Sequence, residues 1–299
     1  MISEITIGTR GSELALWQAH HVQDLLRERG VTCKIHIIKT KGDNIQHLGF
    51  DKMEGKGFFT KEIEEALLNK EIDIAVHSHK DLETDQPEGL TIAAVSPRAD
   101  ARELLLIRPD SVDKSFPLHF KKNAIVGTSS ARRKAQLLHH RKDVQLSDIR
   151  GNVPTRIQKL REGQYDAILL AKAGVDRLEI NLNGLYHQAL PEQEFVPAPA
   201  QGVLGVQCRE SDTAIIELLN SISDKPALEL ITIERSVLNK LNGGCQLPFG
   251  IYAQKLNDQF SVHVAFASAW NAPIKTFSLV DSDAQSLINK VLEEIKNES

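Results

Sequence analysis

The stretch Ile72-Asp73-Ile74-Ala75-Val76-His77-Ser78-His79-Lys80-Asp81 turns abruptly from an apolar, β-branched run to ionisable and hydroxyl side chains. Near-continuous apolar runs of this length mark strands buried on both faces of a largely parallel sheet. Such sheets present their chemistry in the crevice beyond the strand carboxyl ends. The pattern predicts an open α/β sheet with Ser78, Lys80 and Asp81 at its rim, and Asp81 as the candidate reaction centre. A lone Lys-Asp pair in a solvated turn is common and weak, so the weight of this reading depends on what else the chain brings to that rim.

At 299 residues the chain is long enough for two or three domains. Its apolar fraction of 41% with 25% charged residues is that of a soluble globular protein. No apolar run approaches the roughly eighteen residues of a membrane span. The opening Met-Ile-Ser-Glu-Ile-Thr-Ile has no basic segment followed by an apolar one, so no secretory signal is read there. Three cysteines, Cys33, Cys208 and Cys245, are widely spaced and odd in number. That argues for a reducing compartment and against a disulfide framework or structural zinc, and the expected location is cytoplasmic. The net charge of -4 is unevenly spread: from Lys121 to Arg161 eleven Lys or Arg face two Asp, a local charge of +9. Part of this block is a solvated face, to which Lys121, Lys122, Lys142 and Lys159 are assigned. The remainder predicts an anionic ligand.

Taken in order, residues 4–9 and 34–40 read as strands, and Ser12 to Arg29 as a helix with Ser12 as N-cap and Gly30 at its end. Gly8-Thr9-Arg10-Gly11-Ser12 joins strand to helix, where free backbone N–H groups and the helix dipole favour an anion. A glycine-rich polar stretch over 51–59 reads as a mobile loop, and a helix over 60–69 leads into the opening strand. A strand over 90–96 ends at Pro97-Arg98-Ala99-Asp100, a crossing into a second unit that repeats the first in outline. There a strand over 124–126 runs into Gly127-Thr128-Ser129-Ser130 and a helix bearing Arg132 and Arg133. A strand over 144–149 runs into Arg150-Gly151-Asn152-Val153, with Pro154 in the first helical turn, Arg156 just inside and Gly163 at the end. A further strand over 166–170 leads to Lys172 and Arg177.

Arginines at helix starts beside Gly-Thr-Ser-Ser turns favour bidentate capture of small carboxylates or phosphates. Aromatic content of only 5% argues against a nucleic-acid surface, which would interleave aromatics with its cations. The extended, proline-rich Phe195 to Gly202 reads as a return crossing. Two crossings between two α/β units are the plan of a clamshell with a ligand in its cleft. Beyond helices at 211–220 and 226–241, Phe260, Val262, Val264 and Phe266 alternate as in an antiparallel strand, with Asn257-Asp258 as a hairpin turn. The last helix carries Ala284, Leu287, Ile288, Val291, Leu292 and Ile295 on one face. The expected fold is α/β, with two doubly wound domains and a small α/β domain holding a short antiparallel sheet. The boundaries are 1–97 with 200–220, 102–196, and 223–299.

Leu241-Asn242-Gly243-Gly244-Cys245-Gln246-Leu247-Pro248 builds a tight loop with Cys245 at its tip. A typical cysteine is buried and inert, and Cys33 and Cys208, within strand-like runs, are read that way. His77-Ser78-His79-Lys80-Asp81 also matches a His-x-His-x-Asp metal pattern, since alternate strand residues share a face. Metal hydrolases with this pattern usually add a histidine just after the aspartate, where this chain has Leu82, and short motifs match by chance. No metal site is assigned. The metal hydrolase and a non-enzymatic clamshell protein for a carboxylate ligand are the alternatives at this point.

Several stretches together resemble one family, the porphobilinogen deaminases (hydroxymethylbilane synthases) of tetrapyrrole synthesis. They are Thr9-Arg10-Gly11-Ser12 with Leu14 to Ala19, Gly55-Lys56-Gly57 with Phe59, Asp73 to Ser78 with Lys80-Asp81, Gly127-Thr128-Ser129-Ser130 with Arg132-Arg133, Arg150-Gly151-Asn152-Val153 with Thr155-Arg156, Pro199-Ala200-Gln201-Gly202, and Gly243-Gly244-Cys245-Gln246 with Pro248. They occur in family order across nearly the whole chain. The resemblance implies two domains like those of periplasmic binding proteins and a small domain bearing the cysteine. It implies a dipyrromethane cofactor held through a thioether to Cys245, and stepwise deaminating addition of four porphobilinogen molecules before hydrolysis releases linear hydroxymethylbilane. It also favours a monomer whose partner is this small molecule, not nucleic acid or membrane.

By motif position, Ser78, Lys80, Thr128, Ser130, Arg132, Arg133 and Arg150 resemble the family's cofactor-binding groups. Arg10, Ser12, Arg156, Arg177, Lys56 and Gln201 resemble its substrate-binding groups. Asp81 resembles the catalytic aspartate, which implies proton transfer at the departing amine and stabilisation of positive charge on an azafulvene-like intermediate and the attacking pyrrole. Three positions depart from the family pattern: His79 stands in place of an apolar residue, Glu83 in place of a proline, and Glu54 interrupts a glycine-rich lid.

Overall fold

The computed structural model describes residues 2–40, 60–241 and 247–297. They divide into two compact units, one holding residues 2–40, 60–99 and 202–229 and the other the rest. The chain begins with Glu4–Thr9 (β1), Glu13–Arg27 (α1), Thr32–Ile37 (β2), Lys61–Leu68 (α2), Ile74–Ser78 (β3) and Leu90–Val95 (β4). Next come Glu103–Ile107 (β5), Ile125–Gly127 (β6), Ala131–His140 (α3), Gln145–Ser147 (β7), Val153–Arg161 (α4), Ala167–Ala171 (β8), Lys172–Arg177 (α5) and Tyr186–Leu190 (β9). It then returns through Leu204–Arg209 (β10) and Thr213–Asn220 (α6) to Lys225–Lys240 (α7). Phe249–Leu256 (β11), Gln259–Phe266 (β12), Lys275–Asp281 (β13) and Ala284–Asn297 (α8) complete it.

The first unit's sheet has the order β2-β1-β3-β10-β4, and one sheet of the second unit has the order β7-β6-β8-β5-β9. The plans match strand for strand. The second strand of each order, β1 or β6, pairs in parallel with a neighbour on each side. One antiparallel strand, β10 or β5, lies between the third and last positions. In each sheet that strand is the first the chain lays down after a crossing, entering from the end opposite to the local βα units. The doubly wound pattern is therefore modified by one reversed strand per sheet. The reversal is invisible in hydrophobic patterning because β5 and β10, buried along their whole length, read alike in either direction.

β3 lies at the centre because four of its five residues are buried, among them Ile74, Ala75 and Val76 at 3% exposure or less. The expected strand over 34–40 lies earlier, at Thr32–Ile37, where its parallel register with β1 runs from Glu4↔Thr32 to Thr9↔Ile37. A side chain at Gly8 in β1 would force buried Ile72 to shift, since an added Cβ would overlap the end of the Ile72 side chain.

The remaining sheet, β11-β12-β13, is an antiparallel meander. Asn257 and Asp258 turn its first hairpin with φ of 50° and 61°, the left-handed pair that a two-residue turn of this twist needs. Ile251, Val262 and Val264 pack against Ile233 and Val237 of α7 and Leu287, Ile288, Val291 and Ile295 of α8. This layer is tied to the return crossing. Fully buried Glu234 of α7 accepts the Ala200 N–H at 2.6 Å and the Ala253 N–H at 2.7 Å. Ile251 N–H donates to Pro197 O at 3.1 Å. Gly250 has no room for a side chain, because its Cβ would lie 2.7 Å from Val196 O.

Candidate active site

In the first unit two parallel strand ends meet at one rim, since β1 and β3 are neighbours with Ile7 opposite Ile74. At the end of β1, buried Thr9 donates its hydroxyl to Ala15 O at 3.0 Å and pins the turn to α1. Arg10 follows, half-buried, and Ser12 caps α1 by accepting the Ala15 N–H at 3.3 Å. At the end of β3, Ser78 accepts a hydrogen bond from Gln18 Nε2 of α1 at 2.8 Å. One glutamine thus ties α1 to the end of β3. His79–Asp81 then form a single 3-10 turn, with Lys80 half-buried and Asp81 exposed to solvent. Ser78, Lys80 and Asp81 stand where the sequence places them, and Arg10 and Ser12 share their rim.

His77 and His79 are buried instead of turned to that rim. His77 Nε2 lies 3.2 Å from Gln207 Oε1, while the Gln207 amide nitrogen donates to Gln86 Oε1 at 2.9 Å and Glu64 Oε1 at 3.3 Å. With the amide turned this way, the ring proton belongs on His77 Nε2. Burial pulls the His77 pKa down from 6.5 to about 4; the Gln207 hydrogen bond opposes this and the Arg10 charge adds to it. Between those two values the unfolded chain takes up a proton that the folded ring refuses. Stability from this group is therefore full above pH 6.5 and lost as pH falls toward 4, by about 3 kcal/mol in all. Chemical denaturation from pH 7.5 to 4.5 is expected to show this loss in the unaltered protein and a shallower slope in His77→Gln; equal slopes would exclude it.

In the second unit the end of β6 repeats the arrangement. Thr128 is buried, its N–H donating to Ser147 O at 2.9 Å and its hydroxyl accepting the Ser130 N–H at 3.3 Å. Ser130 caps α3 through the Arg133 N–H. Ser129 points to the neighbouring strand end, donating to Ile149 O at 3.0 Å and accepting the Ile149 N–H at 3.1 Å. It staples this turn to the one carrying Arg150. There Gly151, with φ of 113°, lets the chain reverse, and Asn152 caps α4 by accepting the Thr155 N–H at 2.9 Å. Arg156 Nε donates to Gly151 O at 2.7 Å, so its aliphatic arm folds back over the turn. Arg177, the last residue of α5, is half-buried, and desolvation lowers its pKa to about 10, leaving it cationic at neutral pH.

Arg132 and Arg133 are more enclosed than their motif suggests, at 6% and 7% exposure. Both guanidinium groups engage Glu103, with Arg132 Nη2 at 2.6 Å and Arg133 Nη2 at 2.7 Å. Burial lowers the Arg132 pKa and the Glu103 charge opposes this. Gln201 is fully buried, its amide donating to Ala101 O at 2.7 Å and Glu103 Oε1 at 3.1 Å. Glu103, Gln18 and Gln136 escaped the sequence reading. For Glu103 the available signal was an acidic residue opening the apolar run Leu104 to Ile107.

Other cations of the basic block are engaged by the protein itself. Arg141 is buried, bonded to Asp143 and the carbonyls of Pro117, Phe120 and Lys121, and lies over the Phe116 and Phe120 rings. Lys121, expected to be only solvated, pairs with Asp166 at 2.7 Å. Lys159 donates to Arg150 O at 3.0 Å, and Lys122 and Lys142 are exposed as expected. Lys56 and Cys245 lie outside the described residues. Among the described residues no helix is long and apolar enough to cross a membrane.

The chain matches the family model described as "Porphobilinogen deaminase, dipyromethane cofactor binding domain" over residues 5–217 and "Porphobilinogen deaminase, C-terminal domain" over 228–297. Among relatives named porphobilinogen deaminase, that of Sulfurimonas denitrificans is 43% identical over 260 residues, 86% of this chain and 81% of that protein. That of Maridesulfovibrio salexigens is 45% identical over 259 residues, 86% of this chain and 82% of the relative. That of Francisella tularensis subsp. novicida is 39% identical over 287 residues, 96% and 94% of the two chains. Among solved structures, an arginine transport-system periplasmic binding protein from Legionella pneumophila is similar with a TM-score of 0.42 at 15% identity, covering 76% of this chain and 93% of that one. The periplasmic VFT2 domain of Bordetella pertussis BvgS gives 0.43 at 14% identity, covering 78% and 93%. With residues 5–217 and 228–297 both matched in sequence, the chain belongs to the porphobilinogen deaminase family.

Proposed function

We infer that this chain is a hydroxymethylbilane synthase: it adds four porphobilinogen molecules, each with loss of ammonia, to a dipyrromethane cofactor and then releases the linear tetrapyrrole by hydrolysis. The observation that carries this reading is the family match, which spans the dipyromethane-binding region and the C-terminal domain. It displaces the metal hydrolase and the binding protein, and His77 has a structural role in place of metal ligation, with its ring buried against Gln207.

The donor set fits the cofactor. A dipyrromethane carries acetate and propionate on each ring, and the second unit offers hydroxyls, capped helix starts and guanidinium groups at the ends of β6 and β7. These groups pair with carboxylates through charge-assisted and bidentate hydrogen bonds. When bound, the cofactor supplies a nucleophilic pyrrole carbon to which new rings are joined. Cys245, through its sulfur, is the proposed attachment point. Thr128, Ser130, Arg132, Arg133 and Arg150, with Ser78 and Lys80, are the proposed cofactor-binding groups. Arg10, Ser12, Arg156, Arg177 and Lys56 are the proposed holders of substrate carboxylates, and Gln201 contributes through Glu103.

Asp81 is the proposed catalytic residue. An exposed carboxylate on a turn fixed by β3 keeps its acceptor oxygens available to a ligand. It holds a proton in flight to or from the departing amine nitrogen and, while ionised, offsets positive charge that develops on a pyrrole nitrogen. The assay that tests the function is incubation with porphobilinogen and a count of ammonia against tetrapyrrole. Four ammonia per linear product are expected, and a protein that consumes no porphobilinogen would end this reading.

A further inference from the structure

We propose that Glu103 is a positioning residue for this reaction, presetting Arg132 and Arg133 to receive a ligand carboxylate; the proposal rests on the functional reading above. Glu103 opens β5 and is 0% exposed, so it touches no ligand. Its Oε1 accepts from Arg132 Nη2 at 2.6 Å and Gln201 Nε2 at 3.1 Å, and its Oε2 accepts from Arg133 Nε at 3.0 Å. Each arginine is fixed again from another side. Arg132 Nη1 donates to Val196 O at 2.8 Å and Arg133 Nη1 to Leu169 O at 3.0 Å. Val196 is itself clamped by Gln136, which donates to its carbonyl at 2.9 Å and accepts its N–H at 2.6 Å.

The charge count gives this cluster its direction. Two guanidinium groups face one carboxylate, so the start of α3 retains one positive charge in a poorly solvated place. Among the described residues Glu103 is the one acid paired with these guanidinium groups, and a carboxylate from a ligand is the complement of the charge that remains. Removing Glu103 would leave two adjacent buried cations, which repel each other and lose their orientation. The geometry that binds the ligand then has to be built at each binding event instead of being preset. Gln201 acts in the same direction, holding Glu103 Oε1 from the return crossing.

Glu103→Gln keeps the side-chain volume and removes the charge. In the holoenzyme it is expected to fold as the unaltered protein does by circular dichroism, to raise KM for porphobilinogen about tenfold with a smaller change in kcat, and to lower the fraction of purified chain carrying the added mass of two pyrrole units. Glu103→Asp restores the charge on a shorter arm and is expected to raise KM only about threefold. A Glu103→Gln protein with unaltered KM and full loading overturns the proposal. Should that variant fail to fold, Glu103→Asp decides: a raised KM at an unchanged melting temperature supports the role, and an unaltered KM overturns it. An unaltered chain that neither carries the added mass nor consumes porphobilinogen overturns the functional reading itself, and with it this one.

Discussion

The Asp81→Asn protein is expected to fold, to carry its cofactor, and to turn over about 10²- to 10⁴-fold more slowly than the unaltered enzyme. The substitution is nearly isosteric, and Asp81 is exposed, so the exchange strands no buried charge. What it removes is the negative charge and the basic site. The amide can neither take a proton near neutral pH nor offset a developing cation, so the loss falls on the transition state. At about 1.4 kcal/mol for each tenfold, it amounts to roughly 3 to 5 kcal/mol. Lower kcat with little change in KM is the expected kinetic form. Asp81→Glu, which keeps the charge and displaces it by one methylene, is expected to fall between the two. A near-normal rate for Asp81→Asn would remove Asp81 from the chemistry.

Cys245→Ser is expected to abolish the added mass and the activity together. Thioether formation needs a sulfur nucleophile, and a serine hydroxyl at neutral pH is far too weakly ionised to replace it. Under denaturing conditions the intact mass of the unaltered protein should exceed that of the 299-residue chain by two pyrrole units. The variant should weigh the chain alone. The other thiols serve as controls. Cys208 is buried in β10, where desolvation pushes its pKa to about 11, and half-buried Cys33 in β2 is also raised by burial. Neither is poised as a thiolate, so Cys33→Ser should keep the added mass. Unmodified mass in fully active protein would exclude the covalent cofactor.

Much of the site was legible from the chain because its signals are local. Ser12 caps the helix it precedes as its position in the chain indicates, and Gly163 takes the left-handed conformation expected at a helix end, with φ of 81°; Ser130 and Asn152, not singled out as caps in the sequence, cap their helices by the same local rule. Each is determined within a few residues by which groups can satisfy free N–H donors or tolerate positive φ. The groups that escaped are those whose partners lie far along the chain. Gln18 meets Ser78 sixty residues away, Gln136 meets Val196 at the same separation, and Glu103 meets Arg132 and Arg133 after the intervening β6 strand. A glutamine in an amphipathic helix carries no mark of a distant partner.

The basic block shows the same division. Arg132, Arg141, Arg150 and Arg156 are equivalent as letters, and their sum predicts an anionic ligand well. Motif position set Arg150 and Arg156 apart from Arg141, and the folded chain supplies the physical difference: Arg141 is locked among carbonyls and aromatic rings, while Arg150 and Arg156 are held at a turn beyond a strand end.

By itself the sequence determined the helix caps, the turns, the buried run of β3 with its polar end, and the motifs that define the family, since each depends on residues close together in the chain. The tertiary structure decided the reversal of β5 and β10, the burial of His77 and Gln201, and which cations the protein neutralises internally. These depend on where the chain returns after each crossing, because burial and charge pairing act between neighbours in space, whatever their distance in sequence.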